Sequence, residues 1–335
     1  MNPLKTALPW QDDLWSGLIA RFKAGSLPHA LLFTGSEGYG KSELAEALIH
    51  GLLCQSPADD GTACGKCQSC GLLAAGTHPD LLWLTPEEPG KAIPVDSIRA
   101  VGEFLALKGQ YGGRQIVFIN PAEAMNRNAA NSLLKTLEEP TEGALLILIS
   151  SQPSLLLPTI RSRCQQVVFP RPEAEASASW LQAQLKGGRE SINIEDLLAL
   201  SDGAPLAAQA LYESGGLEIR RELASQWVAV AAGKADPLAC AKQWSELGLP
   251  RATQWLSSWV MDLIRLKSGA ESDAITNGDL RPHLQKLVAG LELQRLFAYL
   301  EQITETARWA SGQLNAQLAM EDLMVSWSRQ RRAAK

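Results

Sequence analysis

The sequence predicts an α/β domain built on a five-stranded parallel sheet, followed by an all-helical remainder. Five short apolar runs, at 30–34, 80–85, 115–120, 144–150 and 166–169, are continuous rather than alternating, the pattern of strands covered on both faces. Stretches of helical periodicity separate most of them, and strand–helix alternation favours parallel pairing. After Pro170-Arg171-Pro172 no convincing strand follows.

The first helix falls at 12–25. There Leu14, Trp15, Leu18, Ile19 and Phe22 share one face, and Asp12 and Asp13 sit at the positive end of the helix dipole. The strand "ALLFT" (30–34) leads straight into a glycine loop. A helix at 41–54 follows, with Leu44, Ala47, Leu48, Leu52 and Leu53 at helical spacing. Further helices are read at 95–108 and 127–139. Residues 173–212 pattern as two or three short helices, and 217–332 as longer ones interrupted at 233–237, 247–250 and 268–282. Domain boundaries therefore fall near 170 and 213, giving a sheet domain (1–170), a small helical domain (171–212) and a helical C-terminal domain (213–335). There is no internal repeat. Trp227, Trp244, Trp255, Trp259 and Trp327 lie in the last domain. A helix-bundle core is their expected setting, with a subunit interface as the alternative.

Composition narrows the function. With 31 basic and 36 acidic residues the net charge is −5, which excludes a free-standing nucleic-acid binder working by bulk charge. A local basic face, or DNA contact inside an assembly, stays open. The opening residues show no apolar core of a signal peptide, and no run approaches the roughly 20 apolar residues of a membrane span. The cytoplasm is the expected compartment. There the six cysteines read as thiols or metal ligands rather than disulfides.

Residues 35–42, "GSEGYGKS", match the phosphate-loop pattern G-x-x-x-x-G-K-[ST] in the strand–loop–helix context it needs. The candidate nucleotide residues are Gly35, Gly38, Gly40, Lys41 and Ser42. Gly35 and Gly40 permit the tight wrap and backbone N–H groups face the phosphates. Lys41 would reach the β/γ-phosphates and Ser42 would hold Mg²⁺. An active P-loop ATPase places an acid at the end of a second apolar strand to hold the magnesium shell, and many place another beside it. Here "QIVFIN" ends in Asn120 and continues with Pro121, while Glu123 stands at a different offset. ATP or ADP with Mg²⁺ could bind, but rapid hydrolysis at this site is not expected.

Cys54, Cys64, Cys67 and Cys70 follow the spacing C-x9-C-x2-C-x2-C. Four protein thiolates suit a closed tetrahedral Zn²⁺ site, structural because no position is left for water. Unligated thiols or an iron–sulfur cluster are the alternatives. Gly65 and Gly71 are expected to ease the turns, and Lys66 to moderate the negative charge. His50 and His78 read as surface or packing histidines, and Cys164 and Cys240 as small core residues.

"NSLLKTLEEP" (131–140) and "ALLILISSQPSLLLPTIRSRCQ" (144–165), ending in Ser162-Arg163-Cys164, resemble the clamp-loader branch of the AAA+ superfamily. The resemblance spans the first 170 residues, including "HALLFTGSEGYGKS", the cysteine insertion and "GTHPDLLWLTPE", and continues more weakly into the helical tail. It implies an AAA+ domain with a zinc insertion, a helical lid and an all-α collar that assembles a ring-like pentamer. In that family ATP sits at subunit junctions, and the arginine of the Ser-Arg-Cys motif reaches a neighbour's γ-phosphate. The matching residue is Arg163, with Arg161 as the nearby residue it could be confused with. Ser162 and Cys164 would position the loop. The sensor positions fall on Ser151, polar but short, and on Leu206, where motor subunits carry arginine. Asn120, Pro121 and Leu206 together suggest a non-motor stator subunit. Its implied partners are gamma/tau and delta subunits, and through the complex the sliding clamp and primed DNA. An ATP-hydrolysing gamma/tau-type motor and a zinc-dependent DNA-binding module are the rival readings.

Overall fold

A computed structural model describes residues 6–88, 90–111, 114–185, 193–270, 275–309 and 315–330. The sequence readings at 1–5, 271–274, 310–314 and 331–335 lie outside these residues. The chain divides into two compact units. The first is Met1–Lys186 with Gly203–Ala207, and the second is Gly187–Asp202 with Ala208–Lys335.

In the first unit, β1 (Ala30–Thr34), β2 (Leu81–Leu84), β3 (Gln115–Ile119), β4 (Ala144–Ser150) and β5 (Gln165–Val168) form one sheet in the order β2-β3-β4-β1-β5. Every pairing is parallel. Parallel neighbours need crossovers, and α2 (Lys41–Leu53), α3 (Gln68–Ala74), α4 (Val95–Ala106), α5 (Arg127–Glu138) and α6 (Pro158–Arg163) supply them, while α1 (Asp12–Lys23) precedes β1 and α7 (Ala174–Gln184) follows β5. Alternate strand residues serve opposite faces. Leu31, Phe33, Ile116, Phe118, Leu145 and Ile147 pack with Leu18, Ile19, Leu44 and Leu48 of α1 and α2. Leu32, Val117, Ile119, Leu146 and Leu148 pack with Ile98, Val101, Ala129, Leu133 and Ile160 of α4, α5 and α6. The two-sided cover expected from the apolar runs is complete for the three inner strands. At the edges it thins, because an edge strand has one neighbour: Trp83 of β2 and Val168 of β5 are exposed. Among the described residues no strand follows β5.

The second unit contains α8 (Ile194–Leu200) and most of α9 (Pro205–Glu213), whose residues through Ala207 belong to the first unit. It continues with α10 (Gly216–Ala231), α11 (Pro237–Glu246), α12 (Leu249–Lys267), α13 (Arg281–Val288), α14 (Leu293–Trp309) and α15 (Ala316–Ser328). All five tryptophans singled out in the sequence are buried here. Trp227 and Trp327 stack with ring centroids 4.0 Å apart and planes 4° from parallel. Trp259 meets both Trp227 and Trp244, and Tyr299 stacks on Trp327. The Trp327 indole N–H donates to the Trp227 carbonyl at 2.8 Å. Beside this cluster the fully buried Asp262 accepts from Thr276 N, Asn277 N, Asn277 Nδ2 and Arg265 Nη1 at 2.7–3.1 Å. Arg220, 1% exposed, pairs with Asp279 and Asn277. Among the described residues no helix is long and apolar enough to cross a membrane.

Candidate functional site

The glycine loop leaves the carboxyl end of β1, where open α/β sheets bind ligands. It runs from Gly35 to the start of α2 at Lys41. Gly38 and Gly40 adopt φ of +81° and +88°, a region side chains disfavour. Neighbours press on both: a Cβ on Gly38 would lie 2.8 Å from Ala207 Cβ, and one on Gly40 would lie 2.4 Å from Gln11 Nε2. Lys41 is buried and donates to the carbonyls of Gly35 and Ser36 at 2.8 and 2.7 Å. Burial lowers its pKa, opposed by the carboxylates of Glu37, Glu123 and Glu43. The loop's own carbonyls thus solvate the ammonium that a phosphate would otherwise take.

Magnesium fits less well. Asn120 Nδ2 donates to Ser42 Oγ at 3.2 Å, so an N–H engages the hydroxyl oxygen that a cation would need. An aspartate there would bring negative charge to the cation instead. Glu123 Oε1 accepts from Ser151 N and Gln152 N at 3.0 and 3.1 Å, capping the end of β4, while its Oε2 is buried without a hydrogen-bond partner. Ser151 therefore meets this site through its backbone. Leu206, in the first turn of α9, donates its N–H to Gly38 O at 3.3 Å and brings no cation.

Two contributors escaped sequence reasoning. Gln11, fully buried, donates to Tyr39 O and Gly40 O at 3.2 and 2.7 Å, and Trp10 Nε1 donates to Tyr39 O at 3.0 Å. Nothing in "PWQDD" marks a buried amide that holds a loop about thirty residues later, a distance set by the fold.

Arg163 lies far from this cradle. It is the last residue of α6, two positions before Gln165, which pairs with Leu31 near the start of β1. The loop begins beyond Thr34, which pairs with Val168 at the far end of β5. Three residues at about 3.3 Å each separate the two levels by about 10 Å along the strand, and Arg163 stands before the first of them. Arg163 is therefore at the amino edge of the sheet and the cradle at the carboxyl edge. Its Nη2 pairs with Glu138 Oε1 at 2.7 Å, and its Nη1 donates to Thr159 O at 3.0 Å. Arg161 is half-buried, with its Nε enclosed and without a partner. Ser162 is exposed and Cys164 is buried, where desolvation pushes its thiol up to about 12.

The four cysteines converge between α2 and α3. Their sulfurs all lie within 4.8 Å of one another, with Cys54–Cys70 at 3.6 Å, Cys54–Cys67 at 3.9 Å and Cys64–Cys70 at 4.0 Å. A tetrahedron with metal–sulfur bonds of about 2.3 Å has sulfurs about 3.8 Å apart, so the group could hold a metal ion. Backbone N–H groups aim at the sulfurs: Cys64 N at Cys54 Sγ (3.2 Å) and Cys70 N at Cys67 Sγ (3.4 Å). N–H groups of Lys66 and Cys67 hold the Cys64 thiol down at about 6, while burial pushes Cys54 and Cys70 up. A cation among them would reverse that penalty. It is thus the Lys66 backbone that stabilises a thiolate here. Gly65 does occupy a tight turn at φ +71°, whereas Gly71 lies inside α3.

His78 is a packing histidine and is buried. Its Nδ1 accepts from Asp80 N at 3.1 Å, which leaves the proton on Nε2, 2.8 Å from Ser69 Oγ. Ser69 in turn donates to Leu53 O at 2.6 Å, fastening α3 to α2 beside the cysteines. Cys240 and His50 are also buried.

A glycine cradle at the carboxyl edge of a five-stranded parallel sheet, between β1 and α2, defines an α/β protein of the P-loop class. The family described as DNA polymerase III, delta subunit, matches residues 10–173, and its C-terminal counterpart matches residues 214–329. The chain is 41% identical over 329 residues to DNA polymerase III subunit delta' of Pseudomonas aeruginosa, covering 96% of this chain and 97% of that one. It is 32% identical over 320 residues to the subunit delta' of Escherichia coli, covering 95% and 94%. A solved structure of a DNA polymerase III, gamma subunit-related protein from Thermotoga maritima aligns over 94% of this chain and 99% of that one, at 19% identity and a TM-score of 0.46. The chain belongs to the DNA polymerase III subunit delta' family.

Proposed function

We infer that this chain is the non-motor stator of a clamp loader, presenting Arg163 to ATP held by a gamma/tau-type neighbour. The observation that carries this reading is the separation of Arg163 from the chain's own phosphate loop by the length of a strand. A guanidinium at the amino edge of the sheet cannot serve a phosphate at the carboxyl edge, so its phosphate must come from another chain. Planar guanidinium donors match phosphate oxygens, and an arginine supplied in trans is worth roughly 10³–10⁵ in rate. Its part-exposed pair with Glu138 is worth about 0–1 kcal/mol and takes up one guanidinium donor, leaving others for a triphosphate.

The cradle itself is read as a binding site without hydrolytic machinery, since Asn120, Pro121 and Leu206 supply no charge where a motor subunit needs it. Zn²⁺ at Cys54, Cys64, Cys67 and Cys70 is read as structural. The boundaries near 170 and 213 are kept as a nucleotide-fold domain, a lid and a collar. Partners are gamma/tau and delta subunits, then the sliding clamp and primed DNA, in the cytoplasm. The test is steady-state ATP hydrolysis by the complex assembled from its own subunits. Arg163→Ala should assemble normally and depress DNA-dependent hydrolysis. Unchanged hydrolysis would reject the trans role, and turnover by the isolated chain that Lys41→Ala abolishes would favour the motor reading.

A further inference from the structure

Glu138 is the last residue of α5, and its carboxylate sits 2.7 Å from Arg163 Nη2. Helix stability does not explain it there. The carboxyl end of a helix carries partial negative charge, which disfavours an acid in the final turn. Nor does burial explain it, since the two side chains are 51% and 35% exposed and water screens the pair. What the contact does accomplish is orientation. The guanidinium has five N–H donors in one plane. Glu138 takes one on Nη2 and the Thr159 carbonyl takes one on Nη1, so two anchors from different elements fix the plane while three donors stay available. Thr159 lies on α6 with Arg163. Glu138 belongs to α5, whose Ala129, Ala130, Leu133 and Leu137 are locked into the sheet's core. Ile160 of α6 enters the same core, so both anchors sit on fixed elements, and Glu138 is the side chain that holds the guanidinium from outside Arg163's own helix.

We propose that Glu138 is the positioning residue for Arg163, holding its guanidinium in the orientation that meets the neighbour's phosphate. This rests on the trans-arginine reading above. A long side chain without the anchor samples many rotamers, and each productive encounter must then order it anew. The effect belongs to the chemical step rather than to ATP binding, because the neighbour's own loop holds the nucleotide.

The experiment uses the complete complex with clamp and primed DNA, comparing wild type, Glu138→Ala, Glu138→Gln, Arg163→Ala and the Glu138→Ala/Arg163→Ala double variant. Glu138→Ala should lower kcat for ATP hydrolysis by about 2- to 5-fold, the most that an exposed pair worth up to about 1 kcal/mol can contribute to holding an orientation, with KM for ATP within about twofold. Glu138→Gln, which keeps an acceptor oxygen, should recover part of the loss. In the Arg163→Ala background Glu138→Ala should change nothing further, an independence that general damage to α5 would not produce. If Arg163→Ala lowers kcat while Glu138→Ala leaves it unchanged or raises it, the positioning role is wrong and the trans-arginine reading survives. If Arg163→Ala has no effect, that reading fails and this one with it.

Discussion

Replacing Gly38 by alanine should damage the first unit, whereas the same change at Gly17 should strengthen it. Gly38 holds φ +81°, and left-handed backbone costs a residue with a Cβ about 1–2 kcal/mol. The new methyl would also meet Ala207 Cβ and Ala207 N at 2.8 Å and Ala204 Cβ at 3.0 Å. These are backbone and first-carbon atoms that cannot swing aside, so overpacking adds roughly 1–3 kcal/mol. The sum is about 2–5 kcal/mol. Gly17 lies inside α1 with nothing within 4 Å of a built Cβ, so alanine there should stabilise by about 0.5–1 kcal/mol. Because the chain has two units, a single unfolding midpoint would blur the comparison. Hydrogen exchange of peptides covering β1 and α2 reads the first unit directly. Opposite signs at the two glycines are the expected result. A Gly38→Ala cost below about 0.5 kcal/mol would refute the packing of the loop against residues 203–207.

Three further outcomes follow from other features. Asp262→Ala should cost about 3–5 kcal/mol, because four donors that converge on one buried carboxylate lose their acceptor; hydrogen exchange of peptides covering α12 and α13 measures it. Burial lowers the His78 pKa, so the unfolded chain takes up a proton more readily; stability is full above the unfolded value of about 6.5 and falls as pH drops below it. His78→Gln should flatten that slope in denaturation profiles between pH 5 and 7. Metal analysis should give about one zinc per chain, and Cys67→Ser or chelation should loosen residues 54–78 in hydrogen exchange; metal-free protein with unchanged protection would reject a structural site.

The sheet was readable because continuous apolar strands have few other uses, and the phosphate loop because its glycines and lysine follow from geometry. The cysteine spacing was equally direct, since three short intervals bring four sulfurs together whatever surrounds them. The contacts that give these parts their character were not readable. Gln11 and Glu138 are ordinary polar residues whose partners lie 28 and 25 positions away, and tertiary packing alone decides that they meet Tyr39 and Arg163. Asn120 stands out in the sequence as a missing charge, but its donation to Ser42 depends on the end of β3 lying beside the start of α2. His78 looked unremarkable beside four cysteines, and its bond to Ser69 became visible once α3 was folded back on α2.

The parallel pair Trp227 and Trp327 has an optical consequence. Indoles held face to face couple their electronic transitions, so the second unit should carry an exciton signature in its circular dichroism. With Trp259, Trp244 and Tyr299 in ring contact, excitation should also pass quickly among the five chromophores. The helical unit thereby carries its own unlabelled reporter. Loss of that coupling would time its unfolding separately from the sheet, and in the intact assembly as well as in the isolated chain.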